Sequence, residues 1–146
     1  MILLLIVLRI TGLEPHDGAP GLWLKGNLVT TPVGDWSLTG QIPTVKLQTQ
    51  SSYLLPHSVT INCVAYNGQL YLTSVYPAGA RTRSWNDNVM RDPHVRIKIG
   101  DELYDRTLSL VTDAAEQEGV LQARHKKYPE LKVPANATIR VFHVVG

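Results

Sequence analysis

The sequence holds a single cysteine in 146 residues, Cys63, so it can form no internal disulfide and no multi-cysteine metal site. Cys63 lies in a strand-like run and reads as a buried apolar thiol rather than a nucleophile. Charge is sparse, at 18% of residues with a net charge of +2. No dense basic stripe marks a nucleic-acid face, so nucleic acid is not an expected partner. The five histidines show no metal-ligand spacing, and no Gly-x-Ser-x-Gly elbow, Walker loop or haem-attachment motif occurs. No internal repeat or low-complexity tract is present. What remains is a chain that is 44% hydrophobic, long enough to bury one core without staples, so one domain is expected.

The longest apolar run is residues 1–8, followed by Arg9 and then by the loop-like Glu14-Pro15-His16-Asp17-Gly18. Eight to ten residues cannot span a bilayer, which takes about 20 as a helix. No basic region precedes the run and no small-residue cleavage site follows it, so it is a poor signal peptide. Three readings stay open: a buried helix or strand, an interfacial anchor, or the end of a longer membrane helix. Because no polar residue alternates within the run, neither face suits water, and contact with a membrane or membrane protein through Met1 to Ile10 is one expectation. A cytoplasmic protein with this segment buried is the other.

The expected organisation is an apolar segment at 1–17, an extended arm at 18–43 rich in Gly, Pro and Thr, and a β domain at 44–146. In the arm, Gly21 to Gly26 and then Leu28 to Thr30 read as short extended pieces along a barrel, and Asp35-Trp36-Ser37 as a turn. From residue 44 the period becomes two. Val45 and Leu47 share a face, and Val59, Ile61, Cys63 and Ala65 share one against Thr60 and Asn62, giving strands at 44–49 and 59–66. Asn67-Gly68 tolerates positive φ at both positions and joins that strand to residues 69–75 as a tight hairpin. A short helix at 84–91, with Trp85 and Val89 on its buried face, ends before Pro93. Val95, Ile97 and Ile99 alternate with His94, Arg96 and Lys98, and Gly100-Asp101 turns the chain into a strand at 102–111. Asp113 and Glu116 form a capping-box pattern opening a helix to about Lys127, whose last turn carries Arg124, His125, Lys126 and Lys127 against the macrodipole. A strand at 137–145 closes the chain with both faces largely apolar. About six strands with two helical inserts suit a small antiparallel barrel, since closure removes edges that so much Val and Ile would expose.

The densest chemical group is the basic turn at 81–88. Arg81, Thr82, Arg83 and Ser84 precede or open a helix, and each donates hydrogen bonds to an anion such as a phosphate. The plainer reading makes Ser84 an N-cap and the arginines solvated. His57, placed after a proline and before a strand, reads as a group at a barrel rim able to orient a ligand or act as an acid, although a surface or capping role is commoner. Tyr66, Tyr71, Tyr76 and Trp85 could stack on a flat ring or simply pack. Asn136-Ala137-Thr138 matches the glycosylation triplet, a pattern that often arises by chance.

The stretch Gln69-Leu70-Tyr71-Leu72-Thr73-Ser74, then Arg81-Thr82-Arg83-Ser84-Trp85-Asn86-Asp87-Asn88 and Asp92-Pro93-His94-Val95-Arg96-Ile97, resembles the split β-barrel family of flavin and deazaflavin proteins. Within that family, which includes pyridoxamine-phosphate oxidases, the pattern is closest to the deazaflavin-dependent nitroreductases. The later Ala123 to Tyr128-Pro129 agrees, and the resemblance covers residues 44–145. It implies a mainly β chain, a small antiparallel split β-barrel with two helical inserts behind an apolar N-terminal segment. It also implies FMN or a deazaflavin held by Arg81, Arg83, Ser84, Trp85, Asn88, His57 and Ser58, and a homodimer with cofactor between subunits. Nitroreductases of this kind usually carry a Gly-Arg-Lys-Ser-Gly type loop between the first two barrel strands. Here residues 51–58 hold no lysine or arginine, leaving Ser51, Ser52, His57 and Ser58 as donors. Two functions follow as expectations: an oxidoreductase passing hydride to a small organic acceptor, or a non-enzymatic, membrane-anchored accessory subunit with a vestigial cleft.

Overall fold

A computed structural model describes residues 1–16, 19–52, 55–79 and 84–146. The chain runs through α1 (Ile2–Thr11), β1 (Asn27–Leu28), a 3-10 helix (Ser37–Gln41), β2 (Val45–Gln50), β3 (Pro56–Ile61), β4 (Cys63–Tyr66) and β5 (Gln69–Tyr76). It continues with α2 (Ser84–Arg91), β6 (His94–Ile99), β7 (Glu102–Leu110), α3 (Ala114–Lys127) and β8 (Thr138–Val145).

Seven strands form one antiparallel path in the order β3-β2-β6-β7-β8-β5-β4, and β1 joins it by pairing parallel with β7. The two ends of that path, β3 and β4, are consecutive in the chain and separated only by Asn62. The sheet therefore curls until its edges meet at one residue, giving a split antiparallel barrel. The single strand expected at 59–66 breaks here. Up to Ile61 its partner is β2, with Ile61 opposite Val45; from Cys63 its partner is β5, with Cys63 opposite Leu72. Period-two alternation continues across Asn62, so the side-chain pattern carries no sign of the change of partner. That break and the two-residue β1 raise the strand number from the expected six to eight.

The hairpin at Asn67-Gly68 forms as expected, with φ of 52° and 75°, the pair of positive angles that a type I′ turn demands. Alternation then sorts the core. Leu70 and Leu72 of β5, Cys63 of β4, and Phe142 and Val144 of β8 point inside the barrel with Val45, Leu47, Val95, Ile97 and Leu108. Their neighbours Tyr71, Val64 and Val141 point outward and are covered by Val120 of α3. Strand β5 is buried on both faces along most of its length, which is why Leu70, Tyr71 and Leu72 are apolar in succession while Thr73 and Ser74 are polar residues under cover. Trp36 plugs the barrel from the arm, meeting Tyr104 edge-on at 5.1 Å. Asp35 accepts hydrogen bonds from the Ser37 amide and hydroxyl (2.9 and 2.5 Å), which sets the expected turn and leads into the 3-10 helix that the sequence pattern did not show.

Asp113 caps α3 by accepting from the Glu116 amide at 2.8 Å. The capping box is only half used, since the Glu116 carboxylate instead accepts from the Tyr71 hydroxyl at 2.6 Å. Burial, with Glu116 beside it, pushes the Tyr71 phenol up from its ordinary pKa. The N-terminal run forms α1, which has no buried residue and leaves Ile2 at 76% and Ile10 at 66% exposure. No described helix is long and apolar enough to cross a membrane.

Candidate functional site

The break at Asn62 leaves an opening in the wall. Between the end of β3 (Val59 to Ile61) and the middle of β5 (Thr73 to Val75) lies a cleft of about 600 Å³, within the roughly 300–1,000 Å³ of small-molecule sites. Ser84 and Trp85 at the start of α2 form part of its lining, as do His57 on β3, Arg124 on α3, Ala19 and Pro20 of the arm, and the segment after α3.

Of the residues expected to bind a cofactor, His57, Ser84 and Trp85 meet in this cleft. His57 is the second residue of β3, opposite Thr49, so it is held by a ladder rather than by a rim loop. Burial lowers its pKa below the usual 6.5, keeping the imidazole neutral at pH 7 with one donor and one acceptor nitrogen. Trp85 is 3% exposed and its ring packs on Phe142 at 5.5 Å, so most of its surface belongs to the core. Ser58 is fully buried beside the arm, where its backbone exchanges hydrogen bonds with Gly21, and it does not line the cleft. Asn88 is also turned away from the cleft: its amide donates to Thr49 Oγ1 at 3.0 Å, tying α2 to β2. Arg81 and Arg83 lie outside the described residues. Tyr71 stacks on His143 with ring centroids 4.8 Å apart, and neither it nor Tyr66 nor Tyr76 lines the cleft.

Two cleft residues escaped the sequence reading. Arg124 is 7% and Thr73 8% exposed, and both Arg124 Nε and Thr73 Oγ1 are buried without a hydrogen-bond partner. Asn86 of α2 donates to Ser74 Oγ at 3.1 Å while its own carbonyl oxygen has no partner among the described residues. By sequence Arg124 is one of four basic residues set against the helix macrodipole. The available signal was its spacing: Val120, Arg124 and Tyr128 recur every four residues and are all buried, so a cation stands on the inward stripe of α3.

A second cavity, of about 580 Å³, lies between the arm and the outer face of β2, β6 and β7. Its main polar groups are already engaged. Arg96 grips Asp105 through two bonds of 2.6 and 2.9 Å, and Gln48 accepts from the Leu24 amide at 2.7 Å. The seam cleft, whose buried donors are free, is therefore the stronger candidate site. An anionic, ring-bearing cofactor suits it: the volume is adequate, and two of its lining residues, Arg124 and Thr73, carry buried donors with no partner among the described residues.

No protein-family model matches the chain, and no curated protein does. Solved structures do. An F420-H2 dependent reductase is 23% identical, with 70% of this chain covering 94% of that one at a TM-score of 0.57. A putative pyridoxamine 5'-phosphate oxidase from Listeria innocua is 19% identical over 75% and 87% of the two chains, with a TM-score of 0.55. A structure described as a domain-swapped dimer is 24% identical over 70% and 80%, at 0.57. The chain has the split-barrel fold that flavin and deazaflavin proteins share, as the order of its motifs implied.

Proposed function

We propose that the protein is a flavin- or deazaflavin-dependent oxidoreductase that passes hydride to a small organic acceptor. The observation carrying this reading is the seam cleft, which in this fold gathers His57, Ser84 and Trp85 around a volume suited to a cofactor ring. Arg81 and Arg83, directly before α2, are assigned the cofactor phosphate together with Ser84, because an arginine fork and a helix start both favour an anion. The cofactor supplies the hydride chemistry when bound. The neutral His57 imidazole would orient the ring by one hydrogen bond, and Ile61 and Val75 would keep water from it. A homodimer fits this reading, and light scattering of the purified chain tests it.

Visible absorption of the gently purified protein, followed by titration with FMN and with F420, tests the assignment. Bound colour or saturable binding that is lost in Arg81→Ala/Arg83→Ala supports it. A colourless protein that takes up neither cofactor refutes it. One observation favours the second reading, a non-enzymatic accessory protein held at a membrane: α1 exposes apolar side chains from Met1 to Ile10. Flotation with lipid vesicles that disappears in a chain beginning at residue 18 would support it.

A further inference from the structure

Arg124 is a buried cation with no ion-pair partner among the described residues. Its guanidinium makes no hydrogen bond or ion pair among the described residues, and burial pushes its pKa below the ordinary arginine value. Glu130 lines the same cleft but forms no ion pair with it, and Lys132 adds a second positive charge there. Its neighbour on α3 shows what a structural cation looks like in this protein. Lys127 donates to the Thr39 and Cys63 carbonyls at 2.9 and 2.7 Å and so fastens α3 to β4. Arg124 fastens nothing. An uncompensated buried charge is strongly destabilising, so a ligand that supplies the missing anion accounts for its position. Thr73, from β5, brings an equally buried and unpartnered hydroxyl to the same cleft.

We propose that Arg124 and Thr73 form an oxyanion subsite in the seam cleft, carried by α3 and β5 rather than by the basic turn before α2. Arginine presents Nε–H and Nη–H side by side, matching two oxygens of one phosphate or carboxylate, and the Thr73 hydroxyl donates a further bond. The anion is either the phosphate of the cofactor or a carboxylate on the acceptor. The inference rests on the proposed function only in naming those two sources.

Calorimetric titration of the full-length protein with inorganic phosphate, benzoate, FMN and riboflavin separates the cases, with melting temperature recorded for every variant. Wild type is expected to bind at least one oxyanion, and Arg124→Gln to weaken it roughly 10- to 100-fold, the effect of losing a charge-assisted fork. Arg124→Lys should restore part of the binding, and Thr73→Val should weaken it less. FMN binding tighter than riboflavin, with the difference gone in Arg124→Gln, assigns the subsite to the cofactor phosphate. Equal binding of the two flavins with benzoate lost in Arg124→Gln assigns it to an acceptor carboxylate. Arg124→Met should melt higher than wild type without added anion, which distinguishes lost binding from misfolding. If neither phosphate, benzoate nor FMN distinguishes wild type from Arg124→Gln, the subsite is overturned. If flavins fail to bind while phosphate still acts through Arg124, the cofactor reading fails and the subsite stands.

Discussion

Glu14 offers a test of how the N-terminal segment is held on the barrel. It follows α1 and reaches Lys46 of β2 and Lys98 of β6, two lysines that face each other across the sheet. Partial burial alone would push the Glu14 carboxyl up, but hydrogen bonds and charge from Lys46 and Lys98 outweigh it and bring the pKa from 4.5 down to about 2. At about 1.4 kcal/mol per pH unit, that drop has a ceiling of roughly 3 kcal/mol. The cluster is partly open to solvent, which reduces its contribution to about 1–2 kcal/mol. The folded pKa lies below the unfolded one, so this stability is complete above about pH 4.5 and is lost as pH falls toward 2. Glu14→Gln should therefore cost about 1–2 kcal/mol in urea unfolding at pH 7 and progressively less below pH 4.5, until the two proteins converge near pH 2. The cost should shrink in 1 M salt, where the Debye length is about 3 Å. A variant as stable as wild type at pH 7, or a deficit that does not change between pH 5 and 2, would refute the reasoning.

Three further outcomes are expected. In Gly119→Ala the new methyl lands on the Tyr66 ring, so overpacking of about 1–3 kcal/mol should exceed the roughly 1 kcal/mol gained in helix propensity. In a Tyr66→Ala background the same change should become stabilising, and additivity in that cycle would disprove the contact. Asp113→Ala should cost about 1 kcal/mol by removing the α3 cap while Asp113→Asn retains most of it, as read from thermal denaturation; equal loss in both variants would show that the cap does not matter. Cys63 is fully buried, and burial raises its thiol pKa despite Lys127 nearby; iodoacetamide should label it only after unfolding, and rapid stoichiometric labelling of the native protein would contradict this placement.

Sequence alone determined the elements whose cause is local. Asn67-Gly68 encodes its turn through two positive φ angles, Asp113 its helix start through a single side-chain acceptor, and residues 94–99 their strand through strict alternation; α2 ends at Arg91 as expected. The order of those elements suited a small antiparallel barrel, and the resemblance carried by its motifs implied a split one. Partner choice was a different matter, because alternation specifies which face a side chain takes and not which strand lies beside it. Hence the tertiary fold alone decided that the segment at 56–66 changes partner at Asn62, that Asn27–Leu28 pairs parallel with β7, and that the opening so created becomes a cleft. Burial likewise decided the fate of polar residues. It gave Asn88 to Thr49 and Ser58 to the interior, and it left Arg124, a basic residue in a helix's last turn by sequence, as a cation in the cleft with no ion-pair partner among the described residues.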